Sequence, residues 1–159
     1  MKRAVLVALC TKLLADLEAI TLSQKTTVEG AIHEEARAEG NKDMRSTETS
    51  YLARGLAQRV SDLRNAVTRL ATFSVRSYTA DDAIGLGALV LVVDDDDNEE
   101  CYFVAPAGGG IKLDVSGRPV RVITSEAPLA RALWGKQCGD EVDVRTGRRA
   151  RSLEIAAVC

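Results

Sequence analysis

The chain has 159 residues, 46% of them apolar and 28% charged, and a formal net charge of −2. That length holds one ordinary domain or two small ones, and the composition is that of a soluble globular protein rather than a disordered or fibrous one. No run of about 18 apolar residues exists to span a membrane as a helix. Neither half carries the dense basic face that duplex DNA binding requires.

The charge is unevenly placed. Residues 1–79 hold 12 Lys+Arg against 9 Asp+Glu, and residues 80–159 hold 9 against 14. The four cysteines, Cys10, Cys101, Cys138 and Cys159, form no CxxC pair, and His33 is the single histidine. This pattern argues against a zinc site or a disulfide framework and for reduced thiols in a cytoplasmic protein. Met1-Lys2-Arg3 before an apolar run superficially suggests a signal peptide. Lys12 and Asp16 interrupt that run and helical spacing continues through Leu17 and Ile20, so the segment reads as the start of a mature helix.

From about Leu6 to Ala38 there is no proline, and Leu13, Leu17, Ile20, Val28 and Ile32 recur at roughly helical spacing. Gln24, Thr26, Thr27 and Gly30 dilute the seam. A break follows at Glu39-Gly40-Asn41-Lys42-Asp43-Met44, where Gly and Asn tolerate a left-handed backbone. Ser46 or Thr47 is a candidate cap for the second helix, or Asp43 a turn earlier. In that helix Leu52, Leu56, Val60, Leu63, Val67 and Leu70 alternate steps of 4 and 3, the spacing of a helix packed along a partner. Arg54, Arg59, Asp62, Arg64 and Arg69 keep the opposite face wet. Pairing the two stripes antiparallel buries both, in a hairpin with arms of about 30 residues, on the order of 45 Å long.

After a linker at about 74–82 the period changes. Ala88–Val93 and Cys101–Val104 read as a strand hairpin around Asp94-Asp95-Asp96-Asp97-Asn98. Val120–Ile123 is a further strand, and Glu141–Arg145 and Ser152–Val158 form a last pair around Thr146-Gly147-Arg148. Ser125 to Leu129 opens a short helix, with Ser125 as cap, Pro128 in the first turn and Gly135 past the end. The fold class is α+β: an antiparallel coiled-coil hairpin over 1–76 with its tip near 39–48, a linker at 77–82, and a small antiparallel β domain with one short helix over 83–159. Asp94–Asp97 lacks the ligand spacing of a calcium loop and reads as a solvated turn. Gly108–Gly110 lacks the Lys-Ser/Thr of a phosphate loop and reads as a flexible linker. His33 reads as a surface or seam residue.

The stretch Ser125-Glu126-Ala127-Pro128-Leu129-Ala130-Arg131-Ala132-Leu133-Trp134-Gly135-Lys136-Gln137-Cys138-Gly139-Asp140-Glu141-Val142-Asp143-Val144 resembles a segment of the GreA/GreB transcript cleavage factors, with the spacing from the proline through both glycines intact. Ile84-Gly85-Leu86-Gly87-Ala88-Leu89-Val90 looks like that family's opening strand. Ala36-Arg37-Ala38-Glu39-Gly40 and Tyr51-Leu52-Ala53-Arg54 look like its approach to and exit from the hairpin tip. Between them this chain is longer by three residues, and Asn41 stands where the family has aspartate.

The resemblance implies an FKBP-like β domain and bacterial RNA polymerase as partner, with RNA or DNA met only through the transcription complex and no membrane. It implies a hairpin that enters the secondary channel, where tip carboxylates help hold a second Mg²⁺ that activates water against backtracked RNA. Such a protein has no catalytic residue, stable metal or cofactor of its own, because the Mg²⁺ is shared with the polymerase. The tip candidates are Asp43 first, then Glu39 and Glu48, with Glu34 and Glu35 further back. Lys42 and Arg45 flank Asp43 and oppose a cation there. Pro128, Leu129 and Trp134 are the docking candidates of the β domain. Two other readings stay open: a secondary-channel regulator of initiation or pausing without cleavage, and a coiled-coil interaction module unrelated to polymerase. FKBP likeness does not imply prolyl isomerase activity, since fold does not carry function.

Overall fold

The computed structural model describes residues 1–35, 42–146 and 149–159, and of residues 27–35, 42–50, 146 and 149 the backbone alone. Two long helices come first: α1 over Lys2–Glu35 and α2 over Lys42–Ala71. α1 starts four residues before the periodic stretch, because Val5 joins Leu9 and Leu13 in one buried row at helical spacing. α2 begins at Lys42, where no Gly or Pro interrupts the following residues. Ser46 and Thr47 therefore lie inside the helix rather than at its start. Glu39 falls among residues 36–41, outside the described residues, as does the Gly147-Arg148 turn.

The chain forms two compact units, one of residues 12–67 and the other of residues 1–11 with 68–159. The start of α1 and the end of α2 share a unit, so the two helices run antiparallel. Within the helical unit Leu13 and Val60 are buried, while Arg54, Arg59 and Arg64 are exposed, as the heptad spacing requires. Leu52, on the same stripe, is 59% exposed, so the tight seam does not extend through it.

The other unit is built on six strands: β1 Leu89–Asp94, β2 Glu99–Val104, β3 Lys112–Val115, β4 Arg118–Ile123, β5 Glu141–Thr146 and β6 Arg149–Val158. A short helix, α3 over Pro128–Leu133, lies between β4 and β5. The strand order is β3-β4-β2-β1-β6-β5. Every pairing is antiparallel except β2 with β4, which is parallel from Cys101↔Val120 to Val104↔Ile123. The sheet is therefore mixed. Residues 105–111 carry the chain past the place of β4 to the outer edge, where β3 runs back and β4 fills the gap. That loop contains Gly108–Gly110 and is tied down rather than free, with Gly110 N–H donating to Val122 O at 2.8 Å.

Strand alternation gives the sheet two apolar faces. On one, Val90, Val92, Tyr102, Val104, Ile123, Val142, Val144, Leu153 and Ile155 pack with Ala130 and Leu133 of α3. On the other, Leu89, Phe103, Val120 and Val122 are also buried, as are Val5, Leu9 and Leu70 in the helix ends of the same unit. Among the described residues no helix is long and apolar enough to cross a membrane.

Candidate functional site

Pro128 occupies the first turn of α3, where a missing N–H leaves no hydrogen bond unmade. The N-cap is Ala127, in extended conformation and without a side-chain cap bond. Ser125 is therefore not the cap; its hydroxyl donates instead to Glu126 Oε1 at 3.3 Å. Ala130 and Leu133 face the sheet, and Leu129 and Ala132 pack half-buried against the same cluster. Of the three docking candidates, Pro128 is exposed, Trp134 is 49% exposed, and Leu129 belongs largely to the packing.

Gly135, at φ +79°, ends α3 in the left-handed region. Its N–H donates to Ile84 O at 2.8 Å, and Ile84 N–H donates to Lys136 O at 2.8 Å. This pair of bonds fixes Trp134 beside the segment that leads into β1. A Cβ on Gly85 would lie 3.3 Å from Tyr78 Oη and 3.9 Å from Trp134 Cζ2. The bare glycine thus lets both aromatic rings approach the backbone. Tyr78 Oη donates to Leu86 O at 2.9 Å, and Leu86 is itself exposed. The Tyr78 hydroxyl and the edge of the Trp134 ring both border Gly85. Tyr78, Gly85 and Leu86 were not legible as site residues; the one signal was a glycine on each side of Leu86 in a stretch otherwise read as strand.

The tip residues are placed by backbone alone. Asp43 lies in the first turn of α2 and Glu48 in the next, five positions apart. Five residues turn a helix by about 140° beyond a full circle, so the two positions do not share a face. Glu34 and Glu35 end α1.

The acidic run at 94–97 is a turn that Asp94 organises. Its Oδ1 accepts from Asp96 N at 3.0 Å and Asn98 N at 2.9 Å, and its Oδ2 accepts from Arg151 Nη2 at 2.8 Å. The Asn98 amide, with Arg151 and Asp96 in support, holds the Asp94 carboxyl below its ordinary range. Asp95, Asp96 and Asp97 are exposed. Arg151 also reaches Glu100 at 3.5 Å, which accepts from Tyr102 Oη. Burial and that neighbouring carboxylate push the Tyr102 hydroxyl up to about 12. Asp94, Arg151, Glu100 and Tyr102 thus bond to one another in a chain. Tyr102 and Phe103, as successive residues of β2, face opposite sides of the sheet, and Trp134 lies on the outer surface. Tyr102, Phe103 and Trp134 therefore do not line a common pocket.

Residues 79–159 match the family described as Transcription elongation factor, GreA/GreB, C-term. Over 130 residues the chain is 35% identical to the transcription elongation factor GreA of Chelativorans sp., covering 78% of this chain and 76% of that protein. Over 100 residues it is 30% identical to GreA of Rickettsia felis, covering 63% of this chain and 58% of that protein. It thus spans somewhat over half the length of the Rickettsia relative. Among solved structures it is similar to GreA factor homolog 1 of Thermus thermophilus, at 19% identity and a TM-score of 0.41, covering 96% of this chain and 95% of that one. The match across the whole β domain, with that identity over most of the chain, makes this protein a member of the GreA/GreB family of transcription elongation factors.

Proposed function

We propose that this protein binds bacterial RNA polymerase, reaches into its secondary channel with the α1–α2 tip, and promotes cleavage of backtracked RNA. The observation that carries the reading is the family match over residues 79–159, joined to two helices of 34 and 30 residues whose stretch over 12–67 forms a compact unit. Helices of that length extend roughly 45–50 Å. The β domain docks through Pro128, which opens α3, and Trp134, which follows its last residue, with Leu129 packed against the core between them. Asp43 is the ligand offered to a polymerase-held Mg²⁺, which needs only one or two carboxylates beside its waters. The protein acts through the active site of its partner and has none of its own.

A second reading has a specific observation in its favour. Lys42 and Arg45 flank Asp43, and Asp43 and Glu48 sit on different faces of α2. A tip of that character occupies the channel and alters initiation or pausing without assisting a cation. The Asp43→Ala variant separates the two. Under the cleavage reading it loses stimulation of RNA cleavage and still binds polymerase. Unchanged cleavage in Asp43→Ala would remove this residue from the role.

A further inference from the structure

Residues 72–88, which join α2 to β1, contain neither helix nor strand, yet they are densely bonded. Asp82 Oδ2 accepts from Thr79 N at 2.7 Å and from Thr79 Oγ1 at 2.9 Å, and Asp82 N–H donates back to Thr79 O at 3.1 Å. Arg76 Nη2 reaches Asp82 Oδ1 at 3.3 Å. The Arg76 guanidinium stands 4.2 Å from the centre of the Tyr78 ring, and Lys2 Nζ stands 4.8 Å from the same centre. Lys2 Nζ also donates to the carbonyl of Arg76 at 2.6 Å. Tyr78 closes the far side through its hydroxyl on Leu86 O.

We infer that Tyr78 is the centre of a clasp, in which Lys2 of α1 fastens the 72–88 connection and makes it a rigid strap. A segment without secondary structure must find other partners for its backbone polar groups, and here side chains from three places supply them. A ring face attracts ammonium and guanidinium groups, more strongly where they are partly desolvated. Partial burial, and Arg76 beside it, lower the affinity of Lys2 for its proton. Two cations so close repel one another. Cys159, Asp82, the Arg76 carbonyl and the ring offset that repulsion, and of these the ring is the one group that faces both cations. All of these residues belong to the unit of residues 1–11 and 68–159.

The test is amide hydrogen exchange on the full chain, comparing Thr79 and Asp82 with the sheet amides of Phe103 and Val122. Lys2→Met keeps the aliphatic stem and removes the cation. It is expected to speed exchange at Thr79 and Asp82 roughly fivefold while the sheet amides stay unchanged. In a Tyr78→Phe background, which keeps the ring, Lys2→Met should have the same effect. In a Tyr78→Leu background it should add little. The clasp is overturned if Lys2→Met leaves Thr79 and Asp82 unaltered, if it speeds the sheet amides equally, or if its effect is undiminished beside Tyr78→Leu. Should Tyr78→Leu fail to fold, the Lys2→Met comparison alone decides.

Discussion

Arg151 on β6 donates to the Asp94 carboxylate at 2.8 Å, tying β6 to the point where β1 turns toward β2. Asp94 is at the same time the acceptor for two amides of its own turn. Its affinity for a proton is lowered from an ordinary value of 3.8. A carboxyl depressed in the folded state stabilises the fold fully above its unfolded value, and that contribution is lost as pH falls through the folded value. Asp94→Ala should therefore cost more stability at pH 7 than at an acid pH below 3.8, the difference growing as pH falls further. Urea unfolding of both proteins at the two pH values measures this. An equal cost at both would mean that the charge of Asp94 is not what holds the turn.

Asp97, in the same turn, has φ +59°, a left-handed conformation that a glycine adopts without strain. Asp97 N–H donates to Asp94 O at 3.0 Å, the pattern of a tight turn followed by a left-handed residue. Asp97→Gly should be neutral to stabilising, and Asp97→Val should destabilise by roughly 1–2 kcal/mol. Thermal melts of the two variants should fall in that order, and the reverse order would contradict the assigned backbone.

Gly87 and Gly110 are both left-handed, at φ +89° and +88°, but they differ in surroundings. A Cβ at Gly87 would meet Phe73 Cζ at 3.0 Å, and one at Gly110 would meet nothing within 4 Å. Gly110→Ala should cost about 1 kcal/mol from the backbone alone. Gly87→Ala adds a contact and should cost roughly 2–3 kcal/mol. Equal costs in denaturant unfolding would show that Phe73 is not packed there.

Leu133 and Trp134 are neighbours with different tasks. Leu133 is fully buried and Trp134 is half exposed. Leu133→Ala should lower stability by about 2–5 kcal/mol. Trp134→Ala should lower it by about 1 kcal/mol or less, yet weaken polymerase binding about tenfold or more as an aromatic anchor of the proposed docking surface. Unimpaired binding by Trp134→Ala would move the docking surface elsewhere.

Much of this fold was legible because the local patterns are strong. The steps of 4 and 3 from Leu52 to Leu70 mark α2, and the run Ala88–Val93 before four aspartates marks a strand and its turn. β3 escaped notice because Lys112-Leu113-Asp114-Val115 is four residues long and holds only two apolar positions. The parallel pairing of β2 with β4 was not legible, because no local feature of Val120–Ile123 says which strand it will lie beside. Ser125 looked like a cap by residue type, but its hydroxyl is held by Glu126. The contact at Gly85 depends on Tyr78 and Trp134, 56 positions apart in the sequence, meeting at a residue with no side chain. Asp43 and Glu48 were identifiable as carboxylates near a break, and only the extent of α2 shows that they occupy different faces.

The most direct measurement adds the purified protein to a stalled, backtracked bacterial elongation complex in Mg²⁺ and follows short RNA fragments released from the 3′ end. The account predicts release above the factor-free rate, abolished by Asp43→Ala. No release and no binding to the polymerase would contradict it.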